Sequence, residues 1–120
     1  MVATRFLLGL VFAAHGTIFA QGHDIYHDLT NTVGESCCHD TDCRPTVYRI
    51  TGQGVQMLVN GDWIRVPASL IQYRIIAGDT GETAGGHWCG FTQLRNPQDE
   101  EGVHHTFCAV LPPSFAGTAR

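Results

Sequence analysis

The sequence predicts a mainly β fold, a small disulfide-stapled antiparallel β domain preceded by a short helical N-terminal segment. Three observations carry that prediction: β-branched and aromatic residues dominate Thr46 to Val66, Asn60-Gly61 interrupts that stretch, and five cysteines follow an apolar N-terminal run. Alternating side chains mark a half-buried strand, and Asn-Gly is a strong signal for a type I′ hairpin. A chain this short buries a limited core, so covalent staples are expected.

The first 22 residues set the compartment. Arg5 is the only charge before Asp24, and Phe6 to Ala20 is mostly apolar with small residues at its end. That is the layout of a secretory signal peptide, with cleavage after Ala20 or Gly22. At about 15 residues the apolar run is shorter than the ~20 needed to span a bilayer, so no stable membrane span is expected after cleavage. One β-rich domain over residues 23–111 and a disordered tail over 112–120 complete the expected organisation, with a periplasmic or secreted location.

Each element then follows in order. His23 to Leu29 reads as a turn or two of helix, with Ile25 and Leu29 four apart, and the polar run Thr30 to Ser36 ends it. Cys37 to Pro45 reads as a tight loop, because Asp40, Thr41 and Asp42 favour side-chain hydrogen bonds to nearby backbone. Thr46 to Ile50, Val55 to Val59 and Trp63 to Val66 make a three-stranded meander, stopped by Pro67. Trp63 is expected to be substantially buried in it. Ala68 to Ala77 reads as a short turn followed by a strand, and Gly78 to Gly86 as a flexible loop. His87 to Leu94 and His104 to Leu111 form a final strand pair, joined by a polar loop that contains Asp99, Glu100 and Glu101.

Composition excludes several classes of function. Without Arg5 the chain has six arginines and no lysine against eleven acids, so no basic surface is available for nucleic acid. Lysine-dependent Schiff-base and P-loop chemistry is excluded as well. No G-x-S-x-G, H-E-x-x-H, C-x-x-C or EF-hand pattern occurs. The serines lack the setting of an activated nucleophile, and no catalytic residue is assigned.

Cysteine and histidine supply the remaining candidates. Export makes disulfides the default state for Cys37, Cys38, Cys43, Cys89 and Cys108, and an odd count leaves one thiol over. The preferred bridges are Cys37 or Cys38 with Cys43, and Cys89 with Cys108; a vicinal Cys37–Cys38 bond is the redox alternative. For metal, the candidates are His23, His27, His39 and His87, with copper favoured over zinc. Cleavage after Ala20 leaves Gln21-Gly22-His23, whose amine, amides and ring suit square-planar Cu(II); cleavage after Gly22 makes His23 the terminal residue. Trp63, Trp88, Tyr48, Tyr73 and Phe91 either fill the core or form a binding face for a sugar or peptide.

Taken together, His23-Asp24-Ile25-Tyr26, Ser36-Cys37-Cys38-His39-Asp40-Thr41-Asp42-Cys43-Arg44-Pro45, Trp63-Ile64-Arg65-Val66-Pro67, His87-x-Cys89 and Phe107-Cys108 resemble a group of small exported alphaproteobacterial proteins, most of them hypothetical proteins. The S-C-C-x-x-x-D-C-x-P element is the most specific part, and the resemblance implies no particular activity. Three readings of function therefore stand: an accessory or binding protein that contacts another envelope protein, a copper or zinc binding protein using histidines and the unpaired cysteine, and a thiol redox protein.

Overall fold

A computed structural model describes residues 25–38, 41–94, 96, 98 and 102–117. The signal-like segment, His23, His39 and most of the acidic loop lie outside them. Seven strands occur in order: β1 Asp42–Pro45, β2 Tyr48–Thr51, β3 Gly54–Val59, β4 Asp62–Val66, β5 Ile71–Tyr73, β6 His87–Leu94 and β7 Gly102–Leu111. They form a four-stranded sheet in the order β1-β6-β7-β5 and a three-stranded sheet in the order β2-β3-β4.

The meander is as the sequence predicts. Asn60 and Gly61 both have positive φ, 49° and 84°, as a type I′ turn requires, and they join β3 to β4. Tyr48, Met57 and Ile64 are in register across the three strands, as are Ile50, Val55 and Val66. These rows share the inner face. Val55, Met57, Val59 and Val66 pack there against Trp88, Ala109, Leu111 and Ile71 of the larger sheet, forming the first core.

Strand alternation sends the neighbouring residues of β6 and β7 to the opposite face. Cys89, Cys108 and Val110 lie there with Tyr26, Leu29, Cys37 and Ile76 in a second core. Its outer wall is a segment without strands or helices of its own. The molecule is thus three layers: the meander, the four-stranded sheet, and a covering N-terminal segment.

Of the segment expected to be helical, residues 25–28 form a turn, with Leu29 N–H donating to Tyr26 O at 3.0 Å, and its first two residues lie outside the described ones. Three expectations are corrected. Asp42–Pro45 is a strand rather than a tight loop, because its alternation gives Arg44 to Trp88 (5.3 Å above the ring) and Cys43 to the opposite face. β5 runs parallel to β7, so the larger sheet is mixed. The tail forms a 3-10 turn over Pro113–Phe115, and Phe115 packs edge-on against Tyr48 at 5.6 Å. Proline presets the turn's φ and the aromatic supplies the contact. As expected, a 3-10 turn at Ala68–Leu70 leads into β5.

Two glycines permit close approaches. A Cβ on Gly86 would meet Thr46 O and the Tyr48 ring at 2.4 Å, and one on Gly90, at the register shift after Cys89, would meet His105 O at 2.2 Å. No described helix is long and apolar enough to cross a membrane.

Candidate functional site

The five cysteines converge on the second core. Cys43, Cys89 and Cys108 are register partners on the adjacent strands β1, β6 and β7, so all three point to the covered face. Cys43 bonds Cys89, and Cys108 bonds Cys37 from the covering segment, 71 residues away in sequence. Cys38 is the free thiol. The expected Cys89–Cys108 bridge is therefore not formed, nor is one between Cys43 and Cys37 or Cys38. Cys89 sits between two suitable partners and takes the one on the edge strand, which the sequence does not mark as a strand at all.

Cys38 remains within the cluster. Its Sγ lies 3.3 Å from Cys43 Sγ and 3.4 Å from the Tyr26 carbonyl oxygen. Partial burial pushes its thiol pKa up. Thr41 donates to the Cys37 carbonyl and holds the loop that carries both vicinal cysteines.

Beside the sulfur atoms runs a buried polar chain. Tyr26 and His87 are essentially inaccessible, and Tyr26 Oη lies 2.8 Å from His87 Nδ1. His87 Nε2 faces Asp79 Oδ2 at 3.3 Å, an electrostatic contact whose geometry falls short of a hydrogen bond. Asp79 accepts from the Gly81 N–H at 3.0 Å, and this bond together with His87 holds its carboxyl below the ordinary carboxylate range. Burial, reinforced by the charge of Asp79, holds the Tyr26 phenol above its ordinary range. The chain ties the covering segment to β6 and to the Asp79–Gly86 loop.

These positions separate the metal candidates. His87 is committed to Tyr26 and Asp79, while His27 is exposed and lies 3.5 Å from its neighbour Asp28. His23 and His39 are outside the described residues. Among the described residues no three His, Cys, Asp or Glu side chains are grouped as a metal site.

A second polar cluster was not apparent from the sequence. His104 Nε2 lies 2.8 Å from Asp62 Oδ2, and His104 Nδ1 lies 2.8 Å from Thr92 Oγ1, which accepts from Asn60 Nδ2 at 3.1 Å. The carboxylate, imidazole and hydroxyl stand in the order of a nucleophilic triad. Thr92, however, lies within β6 opposite His104, and the cluster joins β6 and β7 to the meander. Its evident work is to clamp the two sheets. Only the register of distant strands reveals it, since Asp62 and His104 are 42 residues apart.

Two surfaces among the described residues combine apolar with charged side chains. One is a half-open cavity of about 260 Å³ lined by Ile25, Asp28, Leu29, Arg74, Ile76 and Ala77. It is smaller than the roughly 300 Å³ at which small-molecule pockets begin. The other is the outer face of the meander. Strand alternation places Arg49, Gln56, Arg65, Leu58 and Trp63 on it, opposite the packed rows. Trp63 is 38% exposed, and Leu58 and neighbouring Val47 are exposed too. The Arg49 guanidinium stacks 4.1 Å above the Trp63 ring and donates to Gln56 Oε1 at 2.6 Å. Among the described residues neither Arg49 nor Arg65 has a carboxylate partner.

Trp63 thus departs from its expected burial. Trp88 takes the central position, with its Nε1–H donating to Thr106 Oγ1 at 2.8 Å, and the parity of β4 turns Trp63 outward. Comparison with protein families, curated proteins and solved structures gives no match to this chain.

Proposed function

We propose that this chain is a small exported binding protein whose outer meander face docks an acidic segment of another envelope protein. The carrying observation is the exposed Trp63 with Arg49 stacked on it and Arg65 beside it, a cationic and aromatic surface on a chain of net charge −4. Arginine and tryptophan are the side chains most enriched where binding energy concentrates. A guanidinium pairs with carboxylate through a planar fork, and the indole supplies contact area at little conformational cost. Export is supported by the apolar N-terminal run and the two intramolecular disulfides, which persist in oxidising compartments.

Tryptophan fluorescence tests this directly, because Trp88 is buried and Trp63 is open to quenchers. Poly-glutamate should shield Trp63 from acrylamide in a saturable, salt-sensitive manner, with poly-lysine as the contrasting probe. An Arg49→Gln, Arg65→Gln double variant should lose the effect while keeping its fold. Equal shielding by both polymers, or by the double variant, would overturn the assignment.

A further inference from the structure

The five-sulfur cluster holds one thiol against one disulfide and brings a second disulfide alongside. Cys38 Sγ is 3.3 Å from Cys43 Sγ, and Cys89, the partner of Cys43, stands opposite Cys108 in the β6–β7 register. Cys37, the partner of Cys108, is the residue next to Cys38. The cysteines are therefore connected in sequence from Cys38 through Cys43, Cys89 and Cys108 to Cys37, by one sulfur contact, two disulfides and one cross-strand register pair.

We infer that this path is a disulfide relay, in which the free thiol migrates from Cys38 to Cys37 and the covering segment exchanges its covalent tether to the central strand β7 for a short one to the edge strand β1. In the first step the Cys38 thiolate attacks Cys43 Sγ, the Cys43–Cys89 bond breaks, and Cys89 leaves with the electron pair. In the second the Cys89 thiolate attacks Cys108 Sγ, the Cys37–Cys108 bond breaks, and Cys37 leaves as thiolate. Each step forms one S–S bond and breaks one. Two disulfides and one thiol exist throughout, the proton lost by Cys38 is regained at Cys37, and no external oxidant or reductant is consumed.

The end state differs mechanically from the start. At first, Cys37–Cys108 ties the covering segment to β7, and Cys43–Cys89 ties β1 to β6. Afterwards Cys38–Cys43 links the segment only to β1, and Cys89–Cys108 staples β6 to β7. Both connections from the sheet core to the N-terminal part of the chain have become local ones. Against β6 and β7 the cover is then held without a covalent bond, by the Tyr26–His87 contact and the apolar packing of Tyr26, Leu29 and Ile76.

Where the thiol resides over time tests the relay. The oxidised wild-type protein is incubated under non-reducing, mildly alkaline conditions at two protein concentrations, quenched in acid, and alkylated. Peptide mapping should find label on Cys38 at early times and increasingly on Cys89 and Cys37, at a rate independent of concentration. In Cys38→Ser, checked for fold by circular dichroism, Cys43–Cys89 and Cys37–Cys108 should persist with no label. In Cys89→Ser, oxidised by glutathione disulfide during refolding, Cys43 should pair with Cys38 and label should be absent from Cys37. Label confined to Cys38 throughout, migration that accelerates with concentration, or the same migration in Cys38→Ser would each overturn the relay. Should Cys38→Ser fail to fold, the wild-type time course decides.

Discussion

The two faces of the β1-β6-β7-β5 sheet are covered in different ways. On one, Trp88, Ala109, Leu111 and Ile71 meet the aliphatic rows of a regular meander, and burial of apolar surface suffices. On the other, Cys89, Cys108 and Val110 meet an irregular N-terminal segment that buries only a few side chains, among them Tyr26 and Leu29, with Ile76 added from the loop after β5. That side adds two disulfides and a buried Tyr26–His87–Asp79 chain. A layer without its own backbone ladder must be anchored by specific links, and a layer with one needs only complementary rows.

The largest effect is expected on the apolar side. Trp88→Ala removes the biggest side chain of the first core, its bond to Thr106 and the surface beneath Arg44. The expected cost is ~4 to 5 kcal/mol in chemical denaturation. A loss below about 2 kcal/mol would mean that the meander is not seated on the sheet as described.

Next comes the covering side. Replacing Cys37 and Cys108 together by alanine opens a loop with a separation of 71 residues and should cost ~3 to 4 kcal/mol. Because the packing of the first core is untouched, amide exchange should rise first around residues 25–38 and remain slow in β3, β4 and β6. Uniform loss of protection would erase the distinction between the two sides.

Acid should act on the same side. The Asp79 carboxyl is held below its ordinary value in the folded protein, so the stability it contributes is complete above the unfolded carboxylate pKa of ~4 and is lost as pH falls through the lowered folded value. Asp79→Asn should therefore flatten the fall in thermal midpoint below pH 4 relative to the wild type. Parallel curves for the two proteins would remove Asp79 from the anchoring.

The same contrast explains what the sequence made legible. Alternation from Tyr48 to Val66 and the Asn60-Gly61 turn announce the meander, because strand parity and turn geometry are local properties. The cysteine pairing was not legible. It depends on β1, four residues from Asp42 to Pro45 that carry turn-forming side chains and become a strand only by lying along β6. The parallel β5–β7 pairing and the Asp62–His104–Thr92 clamp likewise arise from long-range register. Of the candidate site, the aromatic set was named, but its division between core and surface was not: that division rests on which parity of β4 faces the sheet.

The smallest effect on stability, and the one that bounds the layered description, is expected at Trp63. On the face opposite the packed rows, its ring is covered mainly by Arg49 and remains 38% exposed. Truncation leaves no sealed cavity, so the large penalty of a buried aromatic does not apply. What is lost is a cation–π contact worth about 0.5 to 1 kcal/mol at an exposed site, together with part of the ring's area. Trp63→Ala should accordingly shift the unfolding free energy by roughly 1 kcal/mol while abolishing the shielding interaction with poly-glutamate, followed in the variant by calorimetry. A cost approaching that of Trp88→Ala would place Trp63 inside the fold and return the outer face to a structural role; a small cost with binding lost separates the face that holds the molecule together from the face that contacts a partner.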